Sequence, residues 1–142
     1  AGLRGCKSWA KNHYDEYVNS GVETVILCVD TLTDREYLRV YNKDMTGTVK
    51  NNQQFSQLVM DASKDAGHDD IELSSVFFGS SDAAAFSQAG ITATCLAAMD
   101  PRPADYYHNR RDTADRLVPE TIKTGFDVII STILNFDEKG LN

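Results

Sequence analysis

The sequence predicts an α/β fold: a mostly parallel or mixed sheet with helices on both faces, an α/β/α sandwich. Three observations carry that expectation. Strand-like apolar runs alternate along the chain with stretches of helical period, and that alternation is what a sheet covered on both faces requires. The run Val22–Val29 is β-branched and almost continuously apolar, as suits a strand buried on both faces. Glycine, proline and short polar clusters punctuate each change of period, at Asn19–Gly21, Gly67, Gly90 and Asp100–Pro103.

Taken in order, residues 3–19 place Leu3, Cys6, Ala10, Tyr14, Tyr17 and Val18 close to a 3.6 period, which predicts an amphipathic helix. Val22–Val29 is the first strand, stopping at Asp30-Thr-Leu-Thr-Asp34. Glu36–Asn42 alternates and predicts a half-exposed strand. Asp44-Met-Thr-Gly47 is a loop. Asn51–Ala66 carries Phe55, Leu58, Val59 and Ala62 on one face and ends at Gly67, a helix with a glycine C-cap. Ile71–Phe78 is a strand leading into Gly79-Ser-Ser-Asp82, where Asp82 or a serine before it can cap a short helix over Ala83–Ala89. Ile91–Ala98 is a fourth strand. Pro119 starts the last helix in its first turn, with Ile122, Phe126, Ile129, Ile130 and Ile133 on one face.

Length fits one domain, or a piece of one, and 42% apolar residues suffice for a core. The net charge of −7 argues against nucleic acid and against an anionic membrane surface as partners. Three cysteines give neither a disulfide framework nor a CxxC metal motif; Cys28 and Cys95 read as small buried hydrophobes. No run reaches membrane-spanning length and no secretory leader is recognisable. With alanine at position 1, that leaves the compartment open.

In an open α/β sheet, ligands bind at the carboxyl ends of the strands. Asp30, Asp82 and His108 all fall at or after strand ends. Carboxylate and imidazole suit Zn²⁺. Each also has a plain structural reading: Asp30 as a turn residue, Asp82 as a helix cap, His108 as a surface histidine. Asp112 can hold the His108 ring through its second nitrogen, or cap a turn. GxSxG, P-loop and dinucleotide fingerprints are absent. A flavodoxin-like domain would need a phosphate loop after the first strand, and Asp30–Asp34 is too acidic and lacks glycine. His13 and His68 have no spacing that suggests a site.

Four segments, in order, resemble the M28 family of zinc-dependent aminopeptidases, specifically its carboxyl-terminal half. Ala1-Gly-Leu-Arg-Gly-Cys-Lys-Ser-Trp9 is similar to the helix start after the family's paired glutamates. Val25-Ile-Leu-Cys-Val-Asp30 resembles the strand whose last aspartate binds zinc. Gly79–Ile91 resembles the Ser-Asp-His…Phe…Gly-Ile-Pro segment, with Ala83 and Thr92 in place of its histidine and proline. Tyr107-His-Asn-Arg-Arg-Asp-Thr-Ala-Asp-Arg-Leu117 resembles the segment whose histidine binds zinc.

The resemblance implies a partial zinc-exopeptidase-like sandwich, with residues 1–142 forming the carboxyl-terminal part of the peptidase domain. It implies Asp30 and His108 as metal ligands, with Asp82 and Asp112 behind them. Asp44 is the competing acidic ligand. Asp30 is preferred because it ends an apolar strand expected to be buried, and because a strand and a helix then separate it from the Ser-Asp segment. The first histidine ligand, the bridging aspartate, the glutamate base and the glutamate ligand would all lie upstream of Ala1, so no catalytic base is expected here. In the complete enzyme two zinc ions would activate a water for hydrolysis of N-terminal residues from peptides. Alone, this chain is expected to be inactive and to bind metal weakly or not at all. The open sheet edge implies a homo-oligomer or a companion fragment. The alternative is a non-catalytic interaction or assembly module of the same fold. The resemblance favours an extracellular or cell-envelope location.

Overall fold

A computed structural model describes residues 2–102 and 104–141; Ala1 and Pro103, at the starts or ends of expected segments, lie outside the described residues. Helix α1 spans Arg4–Val18, followed by strand β1 (Ile26–Asp30), β2 (Leu38–Asp44), β3 (Val49–Lys50), helix α2 (Gln53–Asp65), β4 (Glu72–Ser75), α3 (Asp82–Gln88), β5 (Ala93–Ala98) and α4 (Pro119–Lys139). The strands form one mixed sheet. β1 runs parallel to β5, β5 antiparallel to β2, and β2 parallel to β4. The two-residue β3, which the sequence pattern does not reveal, closes a hairpin on the end of β2.

The pleat divides the core in two, because successive side chains point to opposite faces. Ala93, Cys95 and Ala97 of β5, with Ile26, Cys28 and Tyr41, pack under α1 and α3. Leu96 and Ala98, with Leu27, Leu38 and Val40, pack under α2 and α4. Helix α2 begins where Asn52 accepts the Phe55 N–H at 2.8 Å and ends at Gly67, whose φ of 85° a side chain would strain. Ser56 of α2 and Thr94 of β5 share a buried hydroxyl–hydroxyl bond of 2.7 Å, tying that helix to the sheet.

Three expectations are corrected. Val22–Val29 is not a strand buried on both faces: only Ile26–Asp30 is strand, it pairs with β5 alone, and Val29 is 41% exposed. A β-branched apolar run is equally suited to an edge whose outer flank awaits a neighbour. Glu36–Asn42 is not half-exposed: β2 sits between β5 and β4, with Leu38 and Val40 fully buried. Alternation there reflects two different covering layers rather than solvent on one side. Finally, the isoleucine face of α4 is only partly covered, with Ile122 and Ile129 half-buried. Thr121, Thr124, Gly125, Val128 and Thr132 face inward instead, while Phe126, Ile130 and Ile133 are exposed. Small residues there allow close approach to the α2 layer and to Leu32, which a Cβ on Gly125 would meet at 2.9 Å.

Candidate active site

The carboxyl ends of β1 and β5 and the loop after β4 converge on one pocket. Its walls include Asp30, Thr31, Phe78, Ser80, Met99 and Tyr106, and it encloses about 100 Å³. Asp30 is the last residue of β1 and its side chain is exposed. The chain turns sharply after it: Thr31 takes a φ of 49°, and its hydroxyl donates to the Asp30 carboxylate at 3.0 Å.

Asp82 is not the helix cap. Ser81 occupies the N-cap position and Asp82 is the first helical residue. The Asp82 carboxylate accepts the Cys6 thiol at 3.2 Å. The Ser81 hydroxyl is engaged elsewhere, donating to Asp44 at 2.5 Å. Asp44 is fully buried, and it also accepts the Ser81 N–H at 3.0 Å and the Met45 N–H at 2.8 Å. Both of its oxygens are spent on pinning the 79–81 loop to the end of β2. This removes one argument for choosing Asp30 over Asp44, since Asp44 ends the buried strand and Asp30 the exposed one. It supplies a better one: Asp30 is exposed and accepts one hydrogen bond, whereas Asp44 is fully buried and already accepts three. Sequence could not find this pin, because its two halves lie 37 residues apart.

His108 lies beside the pocket, in the loop that follows β5. It is exposed, has a φ of 56°, and its ring stacks on Tyr107 at 4.0 Å with planes 15° apart. Tyr107 itself lines the pocket with Asp30. The loop is shaped from within: the Asn109 amide donates to the Asp105 carbonyl at 2.8 Å, and the Arg111 N–H donates to the Asn109 side chain at 2.8 Å. The Arg116 guanidinium sits 5.6 Å from the Tyr106 ring centre. Asp112 turns the loop through its own N–H, bonded to the Asn109 carbonyl at 3.1 Å. Among the described residues no hydrogen bond joins its carboxylate to His108. Thus Asp30 and Tyr107 line one pocket, with His108 next to Tyr107 in the chain; Asp82 lines the groove between β1 and α1 together with Asp30; and Asp112 bonds within its own loop.

Among the described residues, no group of three or more histidines, cysteines, aspartates or glutamates could hold a metal ion. Asp30 and His108 are oxygen and nitrogen donors of the kind zinc takes, but a zinc site needs three or four protein ligands. The two fit part of such a site and do not complete it. The three thiols are held protonated by their surroundings. Burial, reinforced by the Asp82 carboxylate, pushes Cys28 up to about 12. Burial also raises Cys6, again with Asp82, and raises Cys95 well above the usual range. Burial thus favours the protonated thiol at all three positions. No helix among the described residues is long and apolar enough to cross a membrane.

A mixed sheet between helical layers, with polar loops gathered at the carboxyl ends of its strands, defines an α/β/α sandwich whose candidate site lies at those strand ends. The sequence matches Peptidase family M28 over residues 1–133, and the chain belongs to that family. No curated protein matches it significantly. Among solved structures it is similar to the glutaminyl cyclase of an Acidobacteriales bacterium, with 17% identity, 97% of this chain and 47% of that chain covered, and a TM-score of 0.72. It is similar to the LapA aminopeptidase of Legionella pneumophila, with 15% identity over 94% of this chain and 35% of that one, TM-score 0.72. It is also similar to BSAP, a zinc aminopeptidase from Bacillus subtilis, with 19% identity over 96% of this chain and 33% of that one, TM-score 0.67. At these identities the likeness is one of fold, and the chain spans less than half the length of each.

Proposed function

We propose that this chain is the part of a zinc aminopeptidase that supplies one side of its metal centre, Asp30 and His108, and one wall of its substrate pocket. The observation that carries this reading is the convergence of the Asp30 strand end and the Tyr107–His108 loop on one pocket at the carboxyl ends of the strands. Zinc bound there would supply Lewis-acid activation of the scissile bond. The chain's own residues have simpler tasks. Asp30 and His108 offer donors, and Phe78, Met99, Tyr106 and Tyr107 give the substrate an apolar wall that excludes water. Asp44 holds the 79–81 loop against that wall.

The remaining ligands and the base belong, on this reading, to sequence outside this chain. Two measurements test it. Zinc titration into the isolated chain by calorimetry should show no stoichiometric binding tighter than about micromolar, because two ligands do not make a site. In the protein encoded by the whole gene, Asp30→Ala or His108→Ala should lower kcat/KM on aminoacyl-p-nitroanilides by at least about a hundredfold, since lost partners one shell further out already cost 10–100-fold. Tight zinc binding by the chain alone, or unchanged activity in both variants, overturns the proposal. A whole protein that neither binds zinc nor cleaves would favour the assembly-module reading.

A further inference from the structure

The chain leaves β1 through a residue whose side chain opposes the conformation it takes. Thr31 has a φ of 49°, a region that β-branched residues rarely enter. Glycine would make the same turn with no side chain to strain. The turn is nevertheless held firmly by its surroundings. The Thr31 carbonyl accepts the Ala98 N–H at 3.1 Å, one step past the last β1–β5 pair, Asp30 with Ala97. Leu32 packs into the core beneath α4, so close to Gly125 that a Cβ there would meet it at 2.9 Å. The Thr33 hydroxyl accepts from the Tyr106 hydroxyl at 3.5 Å. Strained backbone persists only where neighbours over-determine it, and such places cluster at functional sites.

Strain alone does not single Thr31 out. Thr46 takes a φ of 57°, and its hydroxyl makes no hydrogen bond among the described residues. What Thr31 has, and a glycine would lack, is a hydroxyl that donates to Oδ1 of Asp30 at 3.0 Å. That carboxylate stands at a fork. Asp30 lines the pocket walled by Tyr106 and Tyr107, and it also lines the groove of about 800 Å³ that runs along β1 beside Asp82. An exposed carboxylate at a strand end is free to swing between the two. The bond to Oδ1 stops that rotation, and Oδ2 is left with no hydrogen bond among the described residues.

We propose that Thr31 is a positioning residue: its hydroxyl holds Oδ1 of Asp30 and leaves Oδ2 for a divalent cation. The inference rests on the proposed role of Asp30 as a zinc ligand. Carboxylates that take a metal are themselves hydrogen-bonded, and losing such a partner lowers metal affinity by about 10–100-fold. The strained turn then has a physical reason. The residue that would relax it, glycine, carries no donor for the carboxylate beside it.

The test uses the protein encoded by the whole gene, with zinc alone as probe and a chromogenic chelator in competition. Thr31→Gly should bind zinc at least about tenfold more weakly than the parent. The Tm of its metal-free form should stay within about 2 °C of the parent's or rise, since glycine relaxes the turn. Thr31→Ser keeps the donor and should keep the parent's affinity. A glycine variant with parental affinity overturns the proposal, as does a serine variant as weak as the glycine one. A larger fall in the metal-free Tm makes Thr31 a structural residue and overturns it too. Asp30→Ala separates this inference from the reading beneath it. If Asp30→Ala weakens zinc binding and Thr31→Gly does not, this inference alone fails. If Asp30→Ala binds zinc like the parent, or the parent binds none, the proposed function fails and this inference falls with it.

Discussion

Replacing Asp44 by alanine should unpin the 79–81 loop at a cost read directly from its three bonds. The Ser81 N–H is buried and would lose its acceptor, and the Met45 N–H is partly buried and would lose its own. An orphaned buried donor costs about 1–3 kcal/mol, the lower end where water can reach it. Removing a buried carboxylate also relieves its desolvation, which offsets part of that sum. The net expectation is about 3 kcal/mol, or a fall in Tm of roughly 6–12 °C for a domain of this size. Asp44→Asn provides the contrast. Its oxygen can keep both N–H donors while its amide donates to the Ser81 hydroxyl, which rotates to accept, so the loss should stay near 1 kcal/mol. Urea unfolding followed by circular dichroism measures both. An alanine variant within about 0.5 kcal/mol of the parent would refute the pin. An asparagine variant as damaged as the alanine one would show that charge, rather than acceptor geometry, holds the loop.

The remaining predictions concern charge and thiols. Lys123 donates to Asp127 at 2.7 Å and, with His68, holds its carboxyl below the usual range. A depressed folded-state pKa contributes stability that is present above the unfolded value of about 4 and is lost as pH falls through the folded value. Acid unfolding curves should therefore show Asp127→Asn losing less stability below about pH 4 than the parent loses; equal losses would sink the assignment. At pH 7.5, thiol labelling of the folded chain should be far slower than after unfolding. Cys28, pushed up to about 12, should be essentially unreactive, and rapid labelling of Cys28 would contradict the packing around it. Alkylated or not, the thiols should leave zinc titration of the isolated chain unaltered, since no thiolate takes part.

The order of helices and strands was legible because period and punctuation are local properties. Asn52 caps α2, Gly67 ends it, Pro119 opens α4, and each acts on its own neighbours. Asp30 and His108 were legible as candidates because both follow strand ends and lie in motifs that resemble those of the M28 family. What failed were statements about burial. Val22–Val29 reads as buried on both faces and is an edge; Glu36–Asn42 reads as half-exposed and is the middle of the sheet; the apolar face of α4 leaves Phe126, Ile130 and Ile133 exposed. Burial depends on which elements become neighbours, and no local period encodes that. Asp44 shows the same limit from the other side. Alone it is a residue before a turn, and only when β2 and the segment before α3 meet does it become a buried clamp on Ser81. Sequence by itself thus determined the class of fold, the residue types at the site and the family. Tertiary structure decided which aspartate is buried in a clamp and which is exposed at a strand end, and which apolar face is left uncovered, because both depend on contacts between residues far apart in the chain.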